Sequence, residues 1–504
     1  MGWAKFAFAN PPQNYNPNFW YEVTNADDYI PGVDDPEDFD DTLRYAIEEI
    51  SGPRNIKVLV NGTITLKSQL SMDDQSYVKI TGEYATGIGP TIIGDEFRIK
   101  DCNNIVLRYM RFRSRENATH HCARSLLILG EDEGCNDVIV DHCSIGASRD
   151  DNISVYGKLC RVTVQNCIIG GGMIGFSRAG IGSGSTSAHV HERLTYCRNL
   201  ITNTSDRQLL FFGPGRVDFF NNIVSINKSA MQLGAETGTY GPQINIIKNH
   251  FRTANAFTRG AYFEDPIRAK VVASPIGPGN QELPVSSNGF SIHLNGNLYR
   301  KYNVVEQTYE DPYENQWDLT YDLNNHEGHE DPPPGEANFP TDFQKVGAWD
   351  MPSDTILNAV DVEAHVLANA GCQLPTSQPT WDDYDSILVE SAMIDDGSKP
   401  NRVFPDTEPD NDGFPGTPAL TYPAHNATGV STSVTLSWIQ SDETDDYEVF
   451  LDTNIFPTTS IGVTSNTQIQ ASNLQANTLY RWRIVARDSC ENTSGTQSRE
   501  FTTE

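Results

Sequence analysis

The residues best equipped for chemistry are concentrated between positions 101 and 220. This segment holds 13 Lys or Arg and 12 Asp or Glu, a net of +1, so the other 384 residues sum to −32. All but one of those cations are arginines, Arg124, Arg149, Arg178, Arg207 and Arg216 among them. A guanidinium presents a planar fork of donors, which suits bidentate capture of carboxylate or phosphate rather than diffuse attraction. Plain exposed strand and turn positions are the other use of any one of them. The adjacent acids Asp150 and Asp151, in SRDDNISVYG (148–157), could hold a hard cation or act as a hydrolytic acid and base, or simply line a turn. His120 and His121 sit together, and His189 and His191 would share one strand face, but neither pair has a clear third ligand for zinc.

The whole chain sets limits on that chemistry. Its 504 residues contain 36 Lys or Arg against 67 Asp or Glu, a formal charge of −31 and a pI near 4.6. Such a surface repels phosphate backbones, so nucleic acid is excluded as a general partner. Hydrophobic residues make up 38%, an ordinary globular balance that rules out disorder along the whole chain. No run of about 18 apolar residues could span a bilayer as a helix. Nine cysteines, without C-x-x-C or zinc-knuckle spacing, imply neither a disulfide framework nor a metal finger. The N-terminal MGWAKFAFANPPQ lacks an apolar run of signal-peptide length, so export rests on function alone.

The elements that must position these side chains show as a repeat. The runs IVLRYMRF (105–112), VIVDHCSI (138–145), VTVQNCII (162–169), LTYCRNLI (194–201), VDFFNNIV (217–224) and INIIKNHF (244–251) share a β-branched or aromatic pattern. Aligning Met110, Cys143, Cys167, Asn199, Asn222 and Asn249 gives spacings of 33, 24, 32, 23 and 27 residues. A period near 23 with loop insertions predicts a solenoid whose rungs bury one face against each other. The fold expected is all-β, a right-handed parallel β-helix. Cys143 should stand over Cys167, and Asn199, Asn222 and Asn249 should form an internal amide ladder. IKVLVNGTITL (56–66) and YVKITGEY (77–84) add earlier rungs, and IHLNGNLY (292–299) a later one after an insertion at 255–290. DDTLRYAIEEI (40–50) reads as a helix capping the open end of the core, and 354–371 as a helix packing back on the solenoid.

Three segments follow from composition. Residues 1–398 form the β-helix domain, with an acidic, aromatic loop at 301–350, and 399–418 form a Pro-rich acidic linker. Asp406, Asp410 and Asp412 in that linker resemble a calcium loop but fix too few oxygen ligands. Residues 419–504 alternate strictly in VTLSW (434–438), DYEVFLDT (446–453), LYRWRIVARD (479–488) and REFTT (499–503), which predicts a small antiparallel β-sandwich. The tryptophan of VTLSW, the L-x-x-x-T-x-Y-x-W-R-I pattern and the closing FTT make it resemble a fibronectin type III module, a spacer without chemistry.

The succession DDTLRYAIEE, GPRNIKVLVNGTITL, IVLRYMRF, VIVDHCSI and RVDFFNNIV resembles the pectate lyase family of parallel β-helix polysaccharide lyases, over roughly 20–300. VLANAGCQLP (366–375) is similar to the C-terminal return of its bacterial members. The resemblance implies secreted, monomeric action on an acidic polysaccharide, polygalacturonate by default, through β-elimination assisted by Ca2+. It carries the family's catalytic arginine onto Arg207 and its second basic position, a lysine in H-S-K-G, onto Arg178 in GFSRAG. An arginine base is chemically awkward, since a free guanidinium stays protonated above pH 12. It works only if nearby cations lower its pKa or if product stabilisation accompanies the transfer. Glycines around 170–184 would let a sugar approach the backbone near Arg178. Arg124, Arg149 and Arg216 are the further substrate-binding candidates, and Asp150 and Asp151 the metal-binding ones.

The pattern also departs from the family. Arg124, in CARSLLI (122–128), stands where members carry an acid, and Ser154 where a further Asp is common. Arg124 could therefore clamp a substrate carboxylate in place of calcium. Asp141 and His142 match the family's D-H-C tetrad and, on a strand, would face opposite sides, so structural hydrogen bonding is their expected role. Two other readings remain at this level. A β-helix glycoside hydrolase would use Asp150 and Asp151, but the N-T-D and G-H-G signatures are missing. A noncatalytic carbohydrate-binding or adhesin protein would explain the lost acids.

Overall fold

The computed structural model describes residues 7–8, 10–114, 124–148, 150–171, 179–184, 191–204, 207–213, 215–226, 229–236, 242–254, 267–272, 291–295, 297–303, 308–310, 320–322, 356–374, 381–393, 418–441, 446–454, 457, 459–487, 493–495 and 498–504. The chain divides into two compact units, Met1–Pro405 and Asp406–Glu504. The loop expected at 301–350 carries strands among its described residues, Thr308–Glu310 and Thr320–Asp322, the latter in parallel register with Ile267–Ala269; its 326–336 part and the linker between 399 and 417 lie outside the described residues.

In the first unit, period-2 alternation on every strand sends one set of apolar side chains inward, and parallel pairing stacks that set rung on rung. Ile56, Ile80, Leu107, Val140, Val164, Tyr196, Phe219, Ile246 and Leu294 are successive register partners and all are buried. A one-residue slip would turn the whole column out to water, so register is fixed by burial. The result is the predicted parallel β-helix, with the right-handed crossover sense general for parallel strands. Three ladders run along it. The first begins at Leu70–Asp73, the second at Trp20–Val23, and the third at Gly62–Thr65. The long strands Leu126–Asp141 and Ile153–Gln165 pass round a corner and serve both the first and the second ladder.

The corner from second to third ladder carries the predicted internal column. Asn199 Oδ1 accepts from the Cys167 N–H at 2.9 Å, Asn222 Oδ1 from the Asn199 N–H at 3.0 Å, and Asn249 Oδ1 from the Asn222 N–H at 2.9 Å. The ladder continues one rung further than expected, to Asn297, whose Oδ1 accepts from Asn249 Nδ2 at 3.0 Å. The residue before each column member adopts a left-handed conformation: Tyr109, His142, Asn166, Arg198, Asn221 and Lys248 all have φ between +50° and +59°. That turn bends the chain sharply within two residues. It also corrects one expectation: His142, at φ +53°, is a corner residue after the end of the strand Leu126–Asp141.

Three further differences have local causes. The capping segment does bury Leu43, Ala46 and Ile47, but it is a short turn closed by an Ile50 N–H to Tyr45 C=O bond, the i to i−5 pattern of a π-helix. Within 255–290, Ile267–Val272 is a rung of the first ladder, in register with Met231–Glu236, as its β-branched composition allows. The return segment contains two helices, α1 (Ala359–Asn369), as expected, and α2 (Asp383–Met393), which was not. Both pack on the third ladder through Val362, Val366, Tyr384 and Leu388 against Ile168, Leu200 and Ile223. Arg113 forks onto Asp382 at 2.6 and 2.9 Å and reaches Asp385 at 3.2 Å, while Ser144 donates to Asp385 at 2.6 Å. Buried charges matched in this way hold α2 to the solenoid.

The second unit is a small β-sandwich. One sheet joins Ala419–Tyr422, Val434–Ile439 and Gln468–Ala471, and the other is built on Asp446–Asp452, Leu479–Arg487 and Arg499–Thr503. Its core gathers Trp438, Tyr447, Trp482 and Phe501. The observed strands match the alternating runs of the sequence to within a residue or so.

Candidate active site

Strand register places several of the predicted residues at or just before the starts of first-ladder strands. In the first ladder Leu126, Ile153, Ile181 and Leu209 are successive partners. Two residues before them stand Arg124, Asp151, Ala179 and Arg207. Rungs are about 4.8 Å apart, so the backbones at Ile153 and Leu209, two rungs apart, are separated by about 10 Å. Arg207 opens the strand Arg207–Phe212 between its register partners Ala179 and Ser229. Arg149 and Arg178 lie outside the described residues; Ala179, the partner of Arg207, is the residue after Arg178.

Side-chain contacts define the upper part of this edge. Arg124 Nε donates to Ser154 Oγ at 3.0 Å, its guanidinium lies 3.2 Å from Asp150 Oδ2 and 3.8 Å from Glu96 Oε2, and its backbone N–H donates to Glu96 Oε2 at 3.2 Å. Ser154 in turn donates to Asp151 Oδ2 at 3.1 Å. Ser154 is therefore a neutral bridge between a cation and a buried acid, a place where another Asp would add like charge. The Arg124 side chain keeps 27% of its surface exposed. Asp151 is buried against Gly182, where a Cβ would fall 1.7 Å from Oδ2, so only glycine fits on that rung.

Glu96 and Ser154 are the site residues that sequence reasoning missed as partners of Arg124. The signal was available: Phe97 is the register partner of Leu126, so Asp95 and Glu96 begin the rung before Arg124. Burial pushes the Glu96 carboxyl above its ordinary range, against the opposing pull of the Arg124 N–H and charge and of Gln69, which donates at 2.8 Å.

Calcium, which the resemblance implies, takes six to eight oxygen ligands in a cage. The described acids do not supply one. Asp150 is already engaged by Arg124, Asp151 by Ser154, and among the described residues no group of three or more His, Cys, Asp or Glu side chains converges. An arginine stands in the acid cluster where a dication would need another carboxylate.

Other candidates lie elsewhere. Arg216 is on the second ladder, in the strand Gly215–Phe220, past the corner that ends Arg207–Phe212, so the structure separates it from the Arg124 edge. Asp141 closes its strand on the second ladder and accepts from Arg108 at 2.9 Å, Gln165 at 3.0 Å and Asn166 at 2.9 Å. Burial would raise its pKa, but His142, Asn166 and Arg108 outweigh burial and hold the carboxyl well below the usual range. His142 stacks on Tyr109 at 4.9 Å, with Nδ1 2.8 Å from Asp141 Oδ1 but off the line of a hydrogen bond. His191 is buried, and burial lowers its pKa to about 3 against the weaker raising effect of the Gly157 and Gly184 backbone. His189 lies outside the described residues.

No family model matches the chain. Curated relatives do. A probable pectate lyase C of Aspergillus terreus is 24% identical over 402 residues, covering 78% of this chain and 81% of the relative. A probable pectate lyase C of Aspergillus fumigatus is 27% identical over 245 residues, 48% of this chain and 52% of the relative. Among solved structures, a pectate lyase from Paenibacillus sp. 0602 is similar over 72% of this chain and 93% of its own, with 11% identity and a TM-score of 0.46. The chain is thus a parallel β-helix protein similar in sequence to curated proteins named probable pectate lyase C.

Proposed function

We propose that the protein is a polysaccharide lyase that cleaves a uronate polymer, pectate by preference, by β-elimination along the strand-start edge of the first ladder. The observation that supports the reading is that Arg124, Asp151 and Arg207 lie at or just before the starts of first-ladder strands, in a chain whose curated relatives are named as pectate lyases. A linear polyanion lying along such an edge would meet cations rung after rung. The rest of the chain outside 101–220, at −32, would repel it.

Elimination across C4–C5 of a uronate removes the C5 proton to a neutral base, forms the C4–C5 double bond and breaks the C4–O bond, so that the glycosidic oxygen leaves on C1 of the neighbouring sugar and takes up a proton from water. Negative charge builds on the carboxylate as the proton leaves, so its stabilisation lowers the barrier. In this reading Arg207 takes the C5 proton, and Arg178 and Arg124 hold the carboxylate. Arg124 is suited to that task because Ser154, Asp150 and Glu96 position its fork while the side chain stays partly exposed. A fixed guanidinium there supplies the positive charge that Ca2+ would otherwise bring, and Asp150 and Asp151 act as its anchors. Secretion, a monomeric state and a fibronectin type III-like spacer role for residues 419–504 belong to the same proposal.

Incubation with pectate, methylated pectin, alginate and neutral galactan tests it. The expected result is rising ultraviolet absorbance from conjugated unsaturated uronate on an acidic polymer. Reducing ends without that absorbance would indicate hydrolysis, and binding without either product would indicate the noncatalytic alternative.

A further inference from the structure

The first rungs of the second ladder carry a cluster that the lyase reading does not use. Trp20, Asn55 and Lys79 are register partners on three neighbouring strands, and Lys57 is the partner of Glu22 and Thr81. The ammonium of Lys57 lies 5.2 Å from the centre of the Trp20 ring and 4.8 Å from that of Tyr84, and the ammonium of Lys79 lies 5.0 Å from the Trp20 ring. The two rings meet edge to face at 5.7 Å, and Tyr84 is 51% exposed.

Two ammonium groups thus converge on one indole, no more than about 10 Å apart, in a protein of strongly negative charge. Their neutralisation is slight. Lys57 has Glu22 at 3.8 Å, and that carboxylate is itself 54% exposed. Lys79 makes no ion pair within 4 Å among the described residues, and burial together with the nearby Arg108 lowers its pKa against the raising pull of the more distant Glu83. Aromatic packing alone would place apolar neighbours on the rings; like charges gathered there instead leave an anion wanting. A half-exposed tyrosine beside them adds a flat surface for the C–H face of a sugar. Sites that recognise small polar ligands combine a ring surface with a few placed charges in this way.

We propose that Trp20, Lys57, Lys79 and Tyr84 form a second, noncatalytic site that binds a carboxylate-bearing sugar chain. Uronate as the ligand rests on the lyase reading, whereas the geometry of the site does not. A polymer held on the second ladder would stay near the enzyme between cleavage events, as tethering raises effective concentration.

Migration of the full-length protein through native gels containing pectate or neutral galactan tests the site, with the Lys57→Gln, Lys79→Gln double variant and Tyr84→Ala compared with wild type. Tyr84 is half exposed, so its truncation leaves the core intact. Pectate should retard the wild type and galactan should not, and each variant should lose affinity by about fivefold, as expected for exposed ring and charge contacts. Turnover of a short oligogalacturonide should stay within about twofold of wild type in both, since only polymer reaches two sites. Unchanged retardation of both variants, or equal retardation by galactan, would overturn the site. Retardation lost in the variants while the wild type makes no unsaturated product would overturn the lyase reading and leave the site standing.

Discussion

Two columns run along the same solenoid and are built on opposite plans. At the corner between second and third ladders the same residue type recurs: Asn199, Asn222, Asn249 and Asn297 pass hydrogen bonds of about 3.0 Å from one to the next, fully buried or nearly so. At the strand-start edge of the first ladder the residue types are mixed instead; Asp95, Arg124, Asp151, Ala179 and Arg207 each stand two residues before register-matched strand positions. Repetition closes a hydrogen-bond account within the protein and leaves nothing to offer a ligand. Variation mixes charge, and the Arg124 side chain stays partly exposed. Structural columns are therefore recognised by sameness and functional ones by difference at a shared register.

Breaking the uniform column should cost stability first. Asn222→Ala removes the acceptor of the Asn199 N–H and Nδ2 and the donor to Asn249 and Tyr196. Each buried group left unpaired costs about 1–3 kcal/mol, so a loss of about 4 kcal/mol or failure to fold is expected in denaturant titration. Breaking the mixed column should instead cost activity. Arg124→Gln should lower kcat/KM on pectate by about 100-fold while the unfolding midpoint moves by less than about 1 kcal/mol, as partly exposed ion pairs contribute little. Chelation of calcium should remove much less activity than this substitution does.

How much of this was legible in sequence depends on which column is considered. The ladder was visible because identical residues repeat at one position of similar runs. Its left-handed corners were not, because Tyr109, His142, Arg198 and Lys248 are not turn-formers by type and are placed by the repeat around them. Arg124, Asp150 and Asp151 were legible as chemistry and do gather. Arg216 was grouped with them by nearness in sequence, yet a corner intervenes and puts it on another ladder. Glu96 escaped notice because its relation to Arg124 exists only once the rungs are in register. Helix α2 was missed because its apolar set, Tyr384, Leu388 and Ala392, is short and interrupted by acids.

A smaller effect concerns pH. His191 titrates at 6.5 when unfolded and at about 3 when buried, so the unfolded chain binds the extra proton between those values. Stability should fall as pH drops from 6.5 towards 3, with no effect from this group above 6.5. The melting temperature of the wild type should therefore decline more steeply over that range than that of His191→Leu; parallel curves would show the ring is not held neutral. Smaller still, deleting residues 419–504 should leave turnover of soluble pectate within about twofold, since a sandwich with its own core folds as a unit. Loss of activity with the solenoid still folded would give that unit a role in catalysis.

The central claim is that this edge performs β-elimination with Arg207 as base. It is tested most directly by following ultraviolet absorbance on pectate for wild type and Arg207→Lys together. Wild type should generate unsaturated uronate, and Arg207→Lys should lose about 1,000-fold or more in kcat with little change in KM, because a mobile ammonium does not reproduce a positioned fork. Full activity of Arg207→Lys, or cleavage by wild type that yields reducing ends without absorbance, would contradict it.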